Sequence, residues 1–184
     1  PVRRAPGPLD DLAMPDRRPL VGRRYRNLLA TTTRWTTALA SRGCPFACTF
    51  CNTPGYYGRG FRRHSIGRVL EELHQIRALG FEEVFFRDDL FFAGAVRPLC
   101  EAMIEADLGL RWSCNHRVET LDEDDLRLMK AAGCHTLKFG VESGDEATLE
   151  AIGKAPREAA LEVFEACRRL GIRTHAHLII GLPG

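Results

Sequence analysis

The chain has 184 residues, about the size of one ordinary domain, and can bury a substantial apolar core. Its 26 basic and 24 acidic residues leave a net charge of +2, so the overall charge does not favour nucleic acid or an anionic membrane as a partner. The sequence contains neither an apolar run of the roughly 20 residues that span a bilayer nor the apolar core of a signal peptide, which argues against a membrane protein and predicts a cytoplasmic one.

Residues 1–34 are predicted to form a linker, or a segment that wraps the surface of the domain that follows. They contain half of the ten prolines and show little apolar periodicity. No aromatic residue is interleaved with the arginines of this segment before Tyr25, so a nucleic-acid patch is the weaker interpretation. The chain begins without Met and stops in the strand-like run HLIIGLPG, so we expect it to be part of a longer protein.

From Thr36 onward, short β-type runs alternate with amphipathic helical stretches, which indicates parallel strands joined by crossover helices. Apolar residues recur at helical spacing between these runs, and Ser65, Asp122 and Asp145 occupy N-cap positions. The sequence therefore predicts an α/β fold with at least five β/α units. The predicted strands are residues 37–42, 83–87, 110–114, 136–141 and 174–180.

In parallel β/α folds, functional groups collect at the carboxyl ends of the strands. A scaffold that needed only soluble loops would not readily place three cysteines at one of these ends, so we predict a composite site there. The residues that follow the five predicted strands, in chain order, are Cys44, Cys48 and Cys51; Asp88 and Asp89; Asn115, His116 and Arg117; Glu142 and Ser143; and Gly181.

The segment GCPFACTFC brings three cysteines close together in the sequence. A structural zinc site needs four ligands, so these three would require a distant fourth. Three inert buried cysteines are an alternative, although a loop flanked by Gly43 and Pro45 is a poor pattern for a core. A 4Fe-4S cluster usually takes four thiolates, and three would leave one iron with an open coordination position. The chain has seven cysteines, an odd number without a secretory signal, which favours reduced thiols over a disulfide framework.

The C-x3-C-x2-C spacing, with Phe50 directly before Cys51, resembles the cluster-binding loop of radical S-adenosylmethionine (SAM) enzymes. Three later segments resemble this family in the same order: VFFRDDLF, LKFGVESGDEATLEAIGK and HLIIGLPG. The resemblance covers residues 35–184 and implies a core domain with a partial TIM-type barrel, a (β/α)6 fold of which about five units are present and the last is missing. It also implies that Cys44, Cys48 and Cys51 bind a 4Fe-4S cluster.

In this family SAM chelates the open iron, and an electron from the cluster splits SAM into methionine and a 5'-deoxyadenosyl radical, so the resemblance implies a radical SAM enzyme. The two aspartates of FRDDLFF replace a Gly-Gly-Glu type stretch that binds the SAM amino group in other members, and a carboxylate can accept a hydrogen bond from an ammonium group. The acidic residue of GVESG resembles the one that binds the ribose hydroxyl groups. The residues that the resemblance places at SAM are Phe50, Asp88, Asp89, Glu142, Ser143, Ile179 and Gly181.

Several other polar residues have two interpretations. Arg117 could pair with the SAM carboxylate or form a surface ion pair with an acidic residue among residues 122–125. His175 and His177 share a strand face, and we interpret them as structural in preference to substrate-binding. The cysteines that we interpret as packing residues are Cys100, Cys114, Cys134 and Cys167.

The segments LDDLAMPDRRPL and FRDDLFF resemble the branch of the family whose barrel follows an N-terminal cobalamin-binding domain. This resemblance implies cobalamin-dependent methyl transfer or ring rearrangement on a small molecule, with a flavodoxin or ferredoxin as the electron donor and no role for nucleic acid. The alternative within the family is a methylthiotransferase that acts on RNA or protein. From a different class, the chain could be a non-catalytic iron-sulfur or zinc module.

Overall fold

A computed structural model describes residues 7–58 and 60–182, and all structural statements refer to these residues. The strands are β1 (Trp35–Ala38), β2 (Ser41–Gly43), β3 (Phe61–Arg63), β4 (Glu83–Phe86), β5 (Arg111–His116), β6 (Cys134–Glu142) and β7 (Arg173–Leu178). The α-helices are α1 (Thr53–Tyr57), α2 (Ile66–Ala78), α3 (Val96–Ala106), α4 (Glu123–Ala131), α5 (Glu146–Ala151) and α6 (Arg157–Leu170). Short 3-10 helices cover Leu9–Asp11, Arg18–Leu20 and Val118–Thr120.

The main sheet has five parallel strands in the order β1, β4, β5, β6, β7. Each strand of this sheet therefore lies next to the one that follows it along the chain, and helices connect them. The order never reverses, which is the winding of a β/α barrel and not of a doubly wound sheet. The predicted α/β fold, a partial TIM-type barrel with about five β/α units, is confirmed.

The first predicted strand, residues 37–42, is wrong as a single element. β1 ends at Ala38, and Ser41–Gly43 instead pairs antiparallel with β3 in a separate two-stranded sheet. The physical reason is a side chain from elsewhere in the chain, because the buried Asp88 carboxylate accepts hydrogen bonds from the backbone N–H groups of Ala40 and Ser41. Buried and more exposed residues alternate both in β1 and in β2. The apolar pattern of the sequence therefore does not reveal the break between these two strands.

Local signals place the helices correctly. The side chain of Ser65 accepts a hydrogen bond from the Arg68 N–H at 3.2 Å and begins α2, and Asp122 begins α4 with a capping box. Each helix then buries its apolar face against the sheet. The core-facing residues include Val69, Leu73 and Ile76 of α2; Leu99, Cys100 and Met103 of α3; and Ala160 and Cys167 of α6.

The four cysteines outside the loop are packing residues, as predicted. Cys100, Cys114, Cys134 and Cys167 are all buried. Burial raises the pKa of the Cys100 thiol to about 12 and that of Cys167 to about 11, because a thiolate loses its hydration in the core. These thiols therefore remain protonated and are poor metal ligands.

The N-terminal segment, residues 7–34, contacts α2 and several strands of the barrel. Arg17 forms a buried ion pair with Glu72 of α2 and donates to the carbonyl oxygen of Thr37 at 2.7 Å. At the amino ends of the strands, the Thr31 N–H donates to Glu83 at 2.8 Å, and Arg173 donates to the carbonyl oxygen of Leu29 at 3.0 Å. None of the helices in the described part of the chain combines the length and apolarity that crossing a bilayer requires.

Candidate active site

A cavity of about 530 Å³ lies at the carboxyl ends of the parallel strands, the edge at which the sequence predicts a composite site. Its volume falls in the range of small-molecule sites. Four of the five strand ends contribute polar side chains that the sequence pointed to. The residues at the cavity that belong to the predicted set are Cys44, Cys48, Phe50, Cys51, Asp89, Asn115, His116, Arg117 and Glu142.

The three cysteines lie in the loop between β2 and α1, and all of them face this cavity. Gly43 begins the loop with a φ of +86°, and a Cβ at this position would lie 2.3 Å from the carbonyl oxygen of Gly60. A glycine is therefore required for β2 to approach β3 closely before the loop turns into the cavity. The Cys51 N–H donates to the carbonyl oxygen of Cys48 at 3.1 Å, which closes a turn between the last two thiols.

The loop supplies three thiols, one fewer than the four ligands of a structural zinc site or a fully protein-ligated 4Fe-4S cluster. Within residues 7–58 and 60–182, no three His, Cys, Asp or Glu side chains form a single-ion site. In a 4Fe-4S cluster each thiolate binds a different iron, so the sulfur atoms lie farther apart than they do around one zinc ion. Cys44, Cys48 and Cys51 are free thiols that are half-buried or exposed, which leaves them accessible to such a cluster.

The side chain of Arg117, which follows β5, packs against the cysteine loop and is buried. Its Nη1 donates to Cys48 Sγ at 2.8 Å, and its guanidinium stacks over the Phe46 ring at 4.0 Å. It also pairs with Glu119 and donates to the carbonyl oxygen of Gly153 at 3.1 Å. The alternative of a surface ion pair with residues 122–125 is therefore wrong, because the buried Arg117 side chain pairs with Glu119. Contact with the SAM carboxylate stays a prediction.

The two aspartates after β4 point in opposite directions. Asp89 lines the cavity and accepts from the Gly43 N–H at 3.3 Å and from Thr53 Oγ1 at 3.4 Å. Asp88 is fully buried beneath the cysteine loop, where it accepts from the backbone of Ala40 and Ser41. Burial raises the pKa of Asp88 to about 6, although its hydrogen bonds with Ser41 and Ala40 oppose this shift. Of the two predicted SAM contacts, the structure thus brings Asp89 to the cavity and keeps Asp88 away from it.

We expect Asp88→Ala to lower the free energy of unfolding by roughly 1 to 3 kcal/mol, because buried N–H groups lose their acceptor. The folded pKa of about 6 lies above that of the unfolded chain, so the folded state binds the proton more tightly. The stability of the parent protein should therefore fall as the pH rises from about 4 to about 6, and the variant should lose this slope. Urea unfolding at several pH values measures both effects, and a variant as stable as the parent at every pH would contradict the assignment.

Glu142 lies at the end of β6 and lines the cavity as predicted. Its φ of +72° is rare for a residue other than glycine and turns the side chain toward Lys154, whose Nζ lies 3.1 Å from Oε1. Lys154 also donates to the carbonyl oxygen of Gly140 at 2.6 Å. A Cβ on Gly140 would lie 2.3 Å from Glu142 Oε1, so the carboxylate depends on a glycine at this position.

Besides Asp88, three further predicted SAM residues do not line the cavity in this structure. The Ser143 hydroxyl accepts from the Asp145 N–H at 3.1 Å and serves the turn that precedes α5. Ile179 donates its N–H to the carbonyl oxygen of Glu142 at 2.9 Å, which extends the β6–β7 pairing while its side chain stays half-exposed. Gly181 follows in a bend with a φ of +86°.

Sequence reasoning missed several residues at the cavity. His177 is exposed and lines it, so its interpretation as a satisfied structural histidine is wrong; β7 has a neighbouring strand on only one side in the described residues. Lys138 and Lys154 also line it, as does Asn27 of the N-terminal segment. Lys138 pairs in register with Asn115, which the sequence did place at the site, but this register follows from the fold. No sequence signal marks Asn27.

The structure thus has a strand-end cavity in a partial β/α barrel, with a loop of three free thiols beside it. The model of the radical SAM superfamily matches residues 39–184. The chain therefore belongs to the radical SAM superfamily.

Two relatives of the chain are named as methyltransferases. A protein of Pyrococcus horikoshii named as an uncharacterised methyltransferase is 34% identical over 149 residues, which cover 79% of this chain and 32% of the relative. Cytidylyl-2-hydroxyethylphosphonate methyltransferase of Streptomyces wedmorensis is 33% identical over 150 residues, which cover 78% of this chain and 28% of the relative. The chain thus spans about a third of the length of these relatives.

A solved structure supports the fold. The radical SAM methyltransferase TsrM of Kitasatospora setae, determined with cobalamin and a [4Fe-4S] cluster bound, superposes with a TM-score of 0.73. The match covers 80% of this chain and 31% of TsrM at 23% sequence identity. This likeness confirms the radical SAM type of partial barrel.

Proposed function

We propose that this chain is the barrel of a radical SAM methyltransferase that works with cobalamin. The observation that carries the proposal is the loop of three free cysteines at the strand-end cavity, in a chain whose relatives are named methyltransferases. Cys44, Cys48 and Cys51 would hold a 4Fe-4S cluster there, and the cluster would supply the electron for the reductive cleavage of SAM to methionine and a 5'-deoxyadenosyl radical. The enzyme is proposed to be cytoplasmic and to receive electrons from a flavodoxin or ferredoxin.

The residues of this chain have distinct roles in the proposal. Cys44, Cys48 and Cys51 hold the cluster, and Arg117 supports Cys48 with a hydrogen bond to its sulfur. Glu142 accepts from the ribose hydroxyl groups, and Asp89 accepts from the SAM ammonium group. Phe50 borders the adenine. Ser143, Ile179 and Gly181 remain proposed SAM residues, and they would contact SAM through their backbone atoms.

The cobalamin part of the proposal rests on the neighbours and on the N-terminal segment. TsrM was solved with cobalamin bound, and the relatives are about three times as long as this chain. We infer that residues 1–34 connect the core, residues 35–184, to an upstream cobalamin-binding domain in the natural protein. A methyl group on cobalt must come close to a substrate radical at the barrel mouth, so the connection has to hold the two domains together. The substrate is proposed to be a small molecule.

The chain without an upstream domain should bind no cobalamin and transfer no methyl group, even where its cluster cleaves SAM slowly. The longer natural protein should do both, and its methylated product should require added cobalamin. Equilibrium dialysis with hydroxocobalamin and mass spectrometry of the product measure this difference. Full activity of cobalamin-free protein, or a second cysteine trio upstream, would favour the methylthiotransferase alternative.

The alternatives make different predictions in one assay. A methylthiotransferase would attach sulfur as well as carbon to RNA or protein. A non-catalytic iron-sulfur or zinc module would bind metal and release no 5'-deoxyadenosine from SAM. Metal analysis combined with a 5'-deoxyadenosine assay therefore separates the proposed enzyme from the module.

A further inference from the structure

A second cavity, of about 290 Å³, lies between the N-terminal segment and the barrel. Residues between Leu12 and Leu20 line it on the side of the N-terminal segment, and residues of β1 and α2 line it on the side of the barrel. Its lining includes four arginines: Arg17, Arg42, Arg68 and Arg87. Arg87 also lines the strand-end cavity, so the two cavities are neighbours. The proposed binding of the cluster and SAM uses none of these four side chains.

Arg42 of β2 has a buried nitrogen that lacks an acceptor. Its Nε is shielded from solvent and has no hydrogen-bond partner among the described residues. The carboxylates that line the second cavity do not supply one, since Glu72 pairs with Arg17 and Asp16 pairs with Arg18. A buried donor that has lost its hydration without gaining an acceptor is costly. The Arg42 guanidinium group therefore calls for an acceptor from outside the described residues.

Another arginine lies on the same face of the small β2–β3 sheet. Arg62 is the register partner of Arg42 in this antiparallel pair. Directly opposed residues place their side chains on one face, and like charges in this arrangement repel each other. Arg62 donates to the carbonyl oxygen of Gly7 at 3.4 Å and, like Arg42, pairs with no carboxylate among the described residues. This repulsion would be relieved by an anion bound beside Arg42.

The remaining arginines leave the second cavity with an excess of positive charge. Only Arg17 is neutralised, by Glu72. Arg68 donates to the carbonyl oxygen of Leu12 at 2.9 Å, which carries no charge. Arg87 is exposed and has no ion-pair partner in the described part of the chain. Three of the four guanidinium groups therefore remain without a carboxylate.

We propose that the second cavity binds the phosphate group of a small molecule through Arg42, Arg68 and Arg87. A guanidinium group donates two parallel hydrogen bonds to a phosphate, and a phosphate monoester brings a charge of about −2 at neutral pH, which matches several arginines better than one carboxylate does. The volume is close to the lower end of the range of small-molecule sites. Because Arg87 lines both cavities, the rest of the molecule can extend toward the strand-end cavity.

The test compares the parent protein with Arg42→Met, which removes the guanidinium group and keeps an unbranched side chain. Arg87→Met is a second variant, chosen because the exposed Arg87 side chain can be replaced without disturbing the core. Arg111→Met is the matched control, because Arg111 is an exposed arginine of β5 that lines neither cavity. The probes are glycerol 2-phosphate and glycerate, which present a phosphate and a carboxylate on similar small carriers.

Calorimetric titration of the anaerobically reconstituted proteins at constant ionic strength gives the affinities. We expect Arg42→Met and Arg87→Met to bind glycerol 2-phosphate about tenfold or more weakly than the parent, because each loses charged hydrogen bonds to the phosphate. Arg111→Met should bind it like the parent, and the parent should bind glycerate more weakly than the phosphate. Ligand-free Arg42→Met should melt at the same temperature as the parent or higher, because the repulsion with Arg62 and the unpartnered nitrogen are both removed.

Four results would overturn the inference. Absence of binding of glycerol 2-phosphate to the parent would eliminate the site, and unchanged affinity in both cavity variants would remove their arginines from it. Equal affinity of the parent for glycerate would show that the cavity does not select phosphate. A clear drop in the melting temperature of ligand-free Arg42→Met would show that the arginine has a structural partner. None of these measurements follows SAM cleavage or methyl transfer, so failure of the proposed function is distinguishable from each of them.

Discussion

Replacing Cys48 by Ala is expected to abolish assembly of an intact 4Fe-4S cluster, and SAM cleavage with it. The loop offers three thiolates, and the loss of one leaves two irons without a protein ligand. The change also removes the acceptor of the Arg117 hydrogen bond, so a buried donor loses its partner. Anaerobic reconstitution of the parent protein with iron and sulfide should give a brown protein with about four irons. Iron content, visible absorption and the yield of 5'-deoxyadenosine measure the loss in the variant.

Cys167→Ala is the matched control, because Cys167 packs in the core on α6. It should bind a normal cluster and lose only the small amount of stability that follows a buried large-to-small change, about 1 kcal/mol. A Cys48→Ala protein with a full complement of iron and an unchanged rate of SAM cleavage would remove Cys48 from the cluster. A normal result for Cys48→Ala and a lost cluster in the control would reverse the assignment of the two cysteines.

Glu142→Ala should weaken SAM binding by about ten- to a hundredfold while leaving the cluster in place. The physical reason is that hydrogen bonds to a charged acceptor contribute roughly 1.5 to 3 kcal/mol. Glu142 is not part of the cysteine loop, so iron content and visible absorption should match those of the parent protein. Calorimetric titration of the reconstituted protein with SAM gives the affinity.

The ion pair with Lys154 requires a further control. Removal of Glu142 alone leaves the half-buried Lys154 without its partner, and this uncompensated charge could itself disturb the cavity. The double variant Glu142→Ala, Lys154→Met removes both charges. Weak SAM binding by the double variant would assign the effect to a contact with SAM, whereas affinity equal to the parent's would show that Glu142 acts through Lys154 and does not bind SAM.

The sequence by itself determines the main helices, the order of the parallel strands and the cysteine loop, although not the break between β1 and β2. Helical spacing, N-caps such as Ser65 and Asp122, and β-type runs are local properties, so five parallel strands and their helices could be predicted. The three thiols are also close in the chain, which makes their proximity independent of the fold. The remaining cysteines could be assigned to packing because Cys100 and Cys167 lie on apolar helix faces and Cys114 and Cys134 flank predicted strands, and all four are buried.

Only the tertiary structure decides which side chains meet and which way they point. Arg117 and Cys48, which form a hydrogen bond, are 69 residues apart in the sequence, and Glu142 pairs with Lys154, which follows α5. No local sequence pattern predicts either contact. The adjacent Asp88 and Asp89 have the same chemistry, yet one is buried under the loop and the other faces the cavity, because successive side chains of an extended segment point in opposite directions. Lys138 of β6 lines the same cavity, and the side chains that surround it there come from separate parts of the chain, which only the packed barrel brings together.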